Sequence, residues 1–207
     1  GITDSEQIQI FNALKDLEFS GGVYLDVAVD NRYADAIDYV TDREWIIGIS
    51  VDNFAPAAPL DRGTLVNALY RMERSPGTEL FSFPDVRDSD SFSMAASWAV
   101  ANGIIKAGTN GNFQPNEPVS DGQLLAILLQ YARYRDANVP DKEREVGGAV
   151  IRAEKVIEWA VGEGILGEGA LKETQEPGWE YPQSKGLVSR AETAAILAQL
   201  AQEGYDK

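Results

Sequence analysis

Cysteine and histidine are both absent from this chain of 207 residues. Without cysteine there is no disulfide and no thiolate metal site, and without histidine the chain lacks the commonest metal ligand and the usual general base near neutral pH. Long apolar runs are missing too, because none approaches the roughly 18 residues of a membrane-spanning helix. No basic-then-apolar leader opens the chain, so we expect either a cytosolic protein or one whose secretion signal was removed.

Basic residues are scarce. Lysine and arginine number 18 against 33 aspartates and glutamates, which gives a formal net charge of −15 at pH 7. This charge repels nucleic acid and anionic membranes, so we expect neither as a partner, and an anionic ligand would need a locally basic pocket. With 44% hydrophobic residues, the chain can bury a sizeable core.

The chain repeats itself. The segment Tyr39–Leu65 overlays Trp98–Leu124 without a gap at an offset of 98 − 39 = 59, and the same offset carries Asp26 onto Asp85. A recurring unit of this size is usually one supersecondary piece that cannot bury its apolar face alone. We therefore expect the copies to share one core.

A third, more divergent copy follows. Trp159 lies 159 − 98 = 61 positions after Trp98, whereas Val188 lies 188 − 119 = 69 positions after Val119, so extra residues interrupt this copy. The repeats predict four segments, which are a lead-in at 1–21 and modules 1, 2 and 3 at 22–75, 76–135 and 136–207.

The segments between the copies have their own predicted structure. Ser5–Leu17 has the pattern of an amphipathic helix, and the charged stretch Tyr134–Gly148 is expected to connect modules 2 and 3. The insertion of module 3, at about 167–187, contains two prolines and is expected to form a surface loop.

Each copy has the pattern of a helix, a loop and a second helix. In module 2 the apolar spacing predicts the first helix at Ser91–Asn102, ended by Gly103, since glycine readily takes the left-handed conformation. Module 1 has Glu44 at the equivalent position, a weaker stop. The second helices carry apolar stripes that we expect to face one another, at Leu65, Leu69 and Met72, at Leu124, Leu128 and Tyr131, and at Thr193, Leu197 and Leu200. The predicted fold class is therefore all-α.

The starts of the second helices have capping patterns. Ser189 with Glu192, and Ser120 with Gln123, are typical of capping boxes, and Asp61 is the corresponding cap in module 1. We interpret these residues as structural.

Further motifs recur in a fixed order. Module 2 opens with Phe-Pro-Asp-Val at Phe83–Val86, and module 1 with the weaker Tyr-Leu-Asp-Val at Tyr24–Val27. Gly-Ile pairs follow the first helices at Gly103 and Gly164, and the second helix of module 3 starts with Val-Ser-Arg-Ala-Glu at Val188–Glu192. This ordered set resembles the S-layer homology modules of bacterial surface proteins, which usually come in threes and start their second helix with Thr-Arg-Ala-Glu.

The resemblance implies a fold and a function. The fold is a pseudo-threefold helical bundle of three tandem helix-loop-helix modules, with the second helices at its centre and grooves between neighbouring modules. The grooves of the family bind secondary cell-wall polysaccharide that carries ketal-linked pyruvate. The resemblance therefore implies a secreted, non-catalytic module that anchors a protein at the bacterial cell surface. It also implies that the arginine of the signature and the aspartate near each module start are among the groove residues.

Arg62 and Arg190 occupy the first position of their helices, where the helix dipole disfavours a cation by a few tenths to about 1 kcal/mol. A guanidinium beside free helix-start amides suits a carboxylate ligand, although a salt bridge to one of the many acids is the alternative. Module 2 has Asp121 at this position, which would repel an anionic sugar, and module 3 has Val146 where the opening aspartate would be. Only module 1 retains both the arginine and the opening Asp26.

The other candidate glycan-binding residues each have a structural alternative. The alternative to glycan contact for Asp26 and Asp85 is a role as turn or cap residues, whose carboxylates bind nearby backbone amides. Trp98 lies on an apolar stripe, where an aromatic ring belongs either to the core or to a sugar-stacking surface. Gly111 and Asn112 are most simply loop-forming residues whose amides could line a groove.

Two other function classes are alternatives to the anchor. A degenerate module that docks another surface protein is the main alternative, favoured by Asp121 and by the acidic insertion. A hydrolase with paired carboxylates is the other, but no pair of acids recurs in an arrangement that suggests acid and base roles. We therefore expect no catalytic residues, no metal and no cofactor.

Overall fold

The computed structural model describes residues 23–108, 110–137, 149–166 and 186–205. Within these ranges the chain forms helices and loops without a strand, which confirms the all-α prediction. The helices are α1 (Ala34–Asp42), α2 (Arg62–Met72), α3 (Ser93–Ala101), α4 (Asp121–Ala137), α5 (Ala149–Gly162) and α6 (Arg190–Leu200), and a π-helical turn at Ala201–Tyr205 follows α6. The predicted helix at Ser5–Leu17 and most of the insertion at 167–187 lie outside the described residues.

Side-chain caps fix the starts of the second helices as predicted. Ser189 Oγ accepts from the Glu192 amide at 3.2 Å, and Glu192 Oε2 accepts from the Ser189 amide at 2.8 Å. Ser120 and Gln123 make the same reciprocal pair. Asp61 Oδ1 accepts from the Thr64 amide at 2.7 Å.

Two predicted boundaries are wrong by a few residues. The first helix of module 2 begins at Ser93 rather than Ser91, because Asp90 and Phe92 belong to the turn that precedes it. Helix α4 continues to Ala137, past the predicted start of the connection at Tyr134, because the Tyr134 ring packs edge-on against Trp98 with centroids 5.4 Å apart.

The first helix of each module ends in the same hydrogen-bonded turn. After α3, the amide of Gly103 donates to Val100 O and that of Ile104 to Ala99 O, the pattern of a Schellman motif. Gly103 has a φ of 68°, which glycine adopts without strain. In module 1 the same turn places Glu44 at a φ of 56°.

Replacing Glu44 with glycine should therefore stabilise the protein by about 0.5–1 kcal/mol, because a side chain in the left-handed region costs about 1–2 kcal/mol and the conformational entropy of glycine offsets about 0.5–1 kcal/mol of that gain. The ion pair that the change removes is weak, since the Glu44 carboxylate is 78% exposed and lies 3.5 Å from Arg71. Urea denaturation measures the effect. Gly103→Ala at the equivalent position of module 2 should lower stability, and equal stability of all three proteins would contradict the argument.

The three modules meet in a ring of backbone hydrogen bonds. Leu60 N donates to Val188 O at 2.9 Å, Val188 N to Val119 O at 3.0 Å, and Val119 N to Leu60 O at 2.8 Å. These residues immediately precede the caps of α2, α4 and α6, and their side chains are 0–1% exposed. The ring joins equivalent segments of all three modules at one buried point.

The helices pack in a matching cyclic order. The second helix of each module packs on the first helix of the next: α2 contacts α3, α4 contacts α5, and α6 contacts α1. The predicted stripes of the second helices are all buried, with exposures of 0–2%. The pseudo-threefold bundle as a whole stays a prediction, which the ring and the cyclic packing support.

A buried polar cluster between α2 and α4 was not predicted. Tyr131 Oη donates to Glu73 Oε1 at 2.7 Å, and Arg135 Nε lies 3.4 Å from the same oxygen. Burial, reinforced by the Glu73 carboxylate, raises the pKa of Tyr131 well above its usual value, so the phenol stays neutral. The cluster adds a directional contact between modules 1 and 2.

Candidate functional site

The two signature arginines reach from one module into the loop of the next. Arg62 Nε donates to Phe113 O and its Nη2 to Lys106 O, both at 3.1 Å. Arg190 Nε donates to Phe54 O at 2.7 Å, and its Nη2 donates to Ile47 O. Both arginines are buried, with exposures of 6% and 5%. Each guanidinium therefore makes the same two contacts to a loop of the neighbouring module.

The helix-start amides beside these arginines are also occupied. In α2, Arg62 N donates to Glu117 O and Gly63 N to Pro115 O, at 3.0 and 2.8 Å. In α6, Arg190 N donates to Ala58 O and Ala191 N to Pro56 O, at 2.9 and 3.1 Å. The expectation of free amides at these helix starts is wrong, because the loop of the next module supplies the acceptors. The loop carbonyls also offset the cost of placing a cation there.

The electrostatic surroundings of Arg190 combine burial with nearby acids. Burial lowers the pKa of its guanidinium, whereas Asp61, Tyr24 and Asp26 act in the opposite direction. An arginine remains charged throughout the accessible pH range. The acids near Arg190 therefore act over a longer range than a direct salt bridge. The direct acceptors of Arg190 Nε and Nη2 are carbonyl oxygens.

Asp26 forms hydrogen bonds with the same loop that accepts from Arg190. Its Oδ1 accepts from Phe54 N at 2.8 Å and its Oδ2 from Ala55 N at 2.7 Å. Ala55 has a φ of 57°, so the two bonds stabilise an unfavourable backbone conformation. The Phe54 peptide is fixed on one side by Asp26 and on the other by Arg190.

Asp85 repeats this arrangement in module 2. Its two carboxylate oxygens accept from Phe113 N and Gln114 N, each at 2.7 Å, and Gln114 has a φ of 61°. The carbonyl of Phe113 is the acceptor for Arg62. The turn interpretation therefore accounts for the contacts of Asp26 and Asp85.

Trp98 lies in the core and not at a cleft. It is 1% exposed, and its ring packs against Tyr70 and Tyr134 with centroids 5.5 and 5.4 Å away and against Tyr131 at 6.4 Å. Its Nε1 is buried and meets no acceptor within the described part of the chain. Direct contact of Trp98 with a glycan, one of the two interpretations of the sequence, is not compatible with this position.

Gly111 and Asn112 form a tight turn whose amides are used internally. Gly111, at a φ of 80°, donates to Gly108 O at 2.9 Å, and Asn112 N donates to Asn110 Oδ1 at 3.2 Å. The carbonyl of Asn112 accepts from Gly108 N at 2.8 Å. These contacts correspond to the loop-forming interpretation.

A cleft of about 290 Å³ lies between modules 1 and 2, and we call it the 1/2 cleft. One wall is the loop after α1, and the other is one face of α2 as far as Arg71, together with Ser91 and Phe92, which precede α3. Polar side chains of the cleft include Thr64, Asn67 and Arg71. Arg190 is the one residue of the predicted glycan-binding set that lines it.

The charges of the 1/2 cleft come from two arginines and two acids. Arg71 is 32% exposed and donates to the backbone oxygen of Glu44, whose exposed carboxylate lies 3.5 Å from the guanidinium. Asp61 is engaged in capping α2. Arg71 is thus the more accessible cation, and its carboxylate partner is a solvent-exposed side chain that a ligand could displace.

Asn67 and Arg71 were not among the predicted site residues. A signal was present, because Thr64, Asn67 and Arg71 are spaced at helical intervals and form a polar stripe along α2. This stripe lies on the face opposite to the buried Leu65 and Leu69.

Ser91 and Phe92, on one side of this cleft, belong to a segment that matches a known family model. Residues 82–124 match the family model of the S-layer homology domain. This segment of the chain is therefore similar to an S-layer homology domain. The match includes the Asp85 turn, α3 and the beginning of α4, and it coincides with the second sequence repeat. No curated protein matches the chain.

The S-layer homology domain is generally a non-catalytic module that anchors proteins to cell-wall polymers, which places this chain with proteins associated with the cell surface. None of the helices in the described ranges combines the length and apolar character that crossing a membrane requires. The assignment of modules 1 and 3 to the same family rests on the sequence repeats and remains a prediction.

Proposed function

We propose that this chain anchors a larger secreted protein to the bacterial wall by binding a pyruvylated secondary cell-wall polysaccharide in the 1/2 cleft. The observation that carries the proposal is the position of this cleft. It lies at a junction between modules, two arginines line it, and Ser91 and Phe92 of its wall belong to the S-layer homology segment.

The proposed recognition uses the exposed guanidinium of Arg71. A pyruvate ketal carries one carboxylate on the edge of a sugar ring, and a guanidinium binds a carboxylate through two parallel charge-assisted hydrogen bonds. In this proposal the ligand carboxylate displaces Glu44 from Arg71, and Asn67 and Ser91 bind sugar hydroxyls. Arg190 contributes positive charge at the base of the cleft while it holds Phe54 O and Ile47 O.

The remaining candidate residues have a supporting role in this proposal. Arg62, Asp26 and Asp85 fix the loops that shape the junctions, and they do so without contacting the glycan. Asp121 at the start of α4 leaves the next junction without a signature arginine. Two or more weak sites on one chain would still act at high effective concentration along a polymeric glycan.

The test is co-sedimentation with purified wall sacculi. Arg71→Gln should weaken binding to pyruvylated sacculi about tenfold, the effect of losing one charge-assisted contact. It should also reduce the salt dependence of binding. Arg133→Gln is the matched control, because Arg133 is an exposed helical arginine of α4 and the charge change is identical.

Chemical removal of pyruvate completes this experiment. Wild-type protein and Arg71→Gln should bind the depyruvylated sacculi equally weakly. Equal binding of both proteins to intact sacculi, or wild-type binding that is unchanged by pyruvate removal, would contradict the proposed site.

Docking of a protein is the second candidate, and an exposed apolar patch favours it. Leu25, Ile47, Ile49 and Val51 are 87%, 56%, 65% and 87% exposed, and Leu25 N donates to Asp52 O, which joins the two strips of the patch. Under this function, Val51→Asp would abolish binding to sacculi that retain their surface proteins. Protease-stripped sacculi would not bind even the wild-type chain.

A further inference from the structure

A second and larger cleft lies where module 3 meets module 1, and we call it the 3/1 cleft. Its volume is about 600 Å³, within the roughly 300–1,000 Å³ of small-molecule sites. Its walls are α1, the end of α5 and the second half of α6. The lining includes two aromatic and four polar or charged residues, which are Tyr39, Trp159, Arg32, Asp35, Glu163 and Gln199.

A smaller side chain lines this cleft than fills the equivalent position at the junction of modules 1 and 2. At the junction of modules 1 and 2, Tyr70 of α2 packs against Trp98 of α3 with ring centroids 5.5 Å apart, and both are buried. Counting from the helix starts at Arg62 and Arg190, the residue of α6 equivalent to Tyr70 is Ala198. An alanine cannot fill the space that a tyrosine fills at the other junction.

Tyr39, one of the aromatic residues of the lining, is held in place by its neighbours. Tyr39, which is equivalent to Trp98, packs edge-on against Trp45 with centroids 5.7 Å apart, and the Arg43 guanidinium lies 3.6 Å from its ring centroid. Trp159 is half-buried on the opposite wall. A fixed aromatic surface loses little conformational entropy on binding.

The polar part of the lining has acids in excess. Arg32 and Glu163 form an ion pair across the junction, and their side chains are 55% and 44% exposed. Asp35 adds a second carboxylate, so the lining carries one cation and two anions. An acidic sugar is therefore disfavoured here, in contrast to the 1/2 cleft.

We infer that the 3/1 cleft binds an uncharged saccharide, with a neutral or N-acetylated sugar ring against Tyr39 and Trp159. The C–H face of a pyranose is apolar and suits an aromatic surface, while the hydroxyls at the ring edge reach Asp35 and Gln199. Such a site would hold a non-acidic unit of a wall glycan and so extends the proposed function. Its chemistry is nevertheless independent of Arg71 and of pyruvate.

The experiment restores the missing ring. Full-length chain is titrated with the disaccharide of N-acetylglucosamine, with binding followed by NMR of the indole N–H groups, and with glucuronic acid as the acidic comparison. Ala198→Tyr should weaken binding of the disaccharide at least tenfold, whereas Arg133→Gln, which lies outside the cleft on α4, should leave it unchanged. Gln199→Ala, which removes a polar side chain from the same cleft, should weaken binding of the disaccharide several-fold. This second variant still tests the inference if the Ala198→Tyr protein does not fold.

The outcomes separate this inference from the anchoring proposal. Arg71→Gln should bind the disaccharide like the wild type even though it loses pyruvylated sacculi. The inference fails if a folded Ala198→Tyr protein and Gln199→Ala both bind like the wild type, if glucuronic acid binds more tightly than the disaccharide, or if the disaccharide does not bind.

Discussion

Replacing Trp98 with alanine should lower the free energy of unfolding by about 3–5 kcal/mol, the range for removing a large buried aromatic side chain. The indole fills the junction of modules 1 and 2, where it contacts Tyr70, Tyr131 and Tyr134. Its loss would leave a cavity that the rigid helix pair cannot close. Urea denaturation followed by circular dichroism measures the change.

Trp98→Phe separates the packing of the ring from the buried N–H group. Phenylalanine keeps part of the ring volume and removes a donor that has no acceptor within the described residues, so the loss should be much smaller than for alanine. A Trp98→Ala protein of unchanged stability that no longer binds wall sacculi would contradict the core assignment. It would restore the interpretation of Trp98 as a sugar-stacking residue.

Replacing Arg190 with methionine should lower the free energy of unfolding by about 2–4 kcal/mol, because two loop carbonyls lose a charged donor at a buried site. The carbonyls belong to Phe54 and Ile47, so the loop of module 1 should loosen although the mutation lies in module 3. Hydrogen exchange of the amides of Phe54 and Ala55, measured beside the unfolding curve, localises the effect.

Arg133→Met is the control for this change, since Arg133 is exposed on α4 and should tolerate the substitution with little effect. Arg190→Lys should be intermediate, because a single ammonium group replaces the fork that reaches both carbonyls. Full stability of Arg190→Met together with lost wall binding would show that Arg190 serves a ligand and not the loop.

Together these contacts explain why the signature residues occur in fixed order. The opening aspartate binds the amide of the loop phenylalanine within its own module, and the arginine of another module binds the carbonyl of the same residue. Asp85, Phe113 and Arg62 repeat the arrangement one junction further. The signature residues thus join the modules, and the proposed glycan-binding cleft lies beside them.

Local patterns were the predictable part of the fold. The Ser189 and Glu192 box, the stop at Gly103 and the buried stripe of α2 depend on residues within a few positions of one another, and the sequence shows them directly. The offset of the repeats also predicted a shared core, and Leu65, Leu128 and Leu197 of the three predicted modules belong to one cluster of buried apolar residues.

The partners of the arginines were not predictable by the same reasoning. Arg190 and its acceptor Phe54 O are 136 positions apart, and no local rule indicates which loop reaches a helix start. Arg62 and Arg190 stood out because a cation at a helix start is unfavourable, and the loop carbonyls that accept from their guanidinium groups could not be predicted. The clefts depend on the same long-range geometry, and the role of Ala198 is visible only by comparison with Tyr70.

The most direct test of the anchoring account is an NMR titration of the isotope-labelled chain with a soluble pyruvylated disaccharide. The account predicts shift changes concentrated at the amides that border the 1/2 cleft, chiefly Gly63, Thr64, Asn67 and Ser91, and their disappearance in Arg71→Gln. Chemical shift changes confined to the 3/1 cleft, or no chemical shift changes at millimolar saccharide, would contradict the anchoring account.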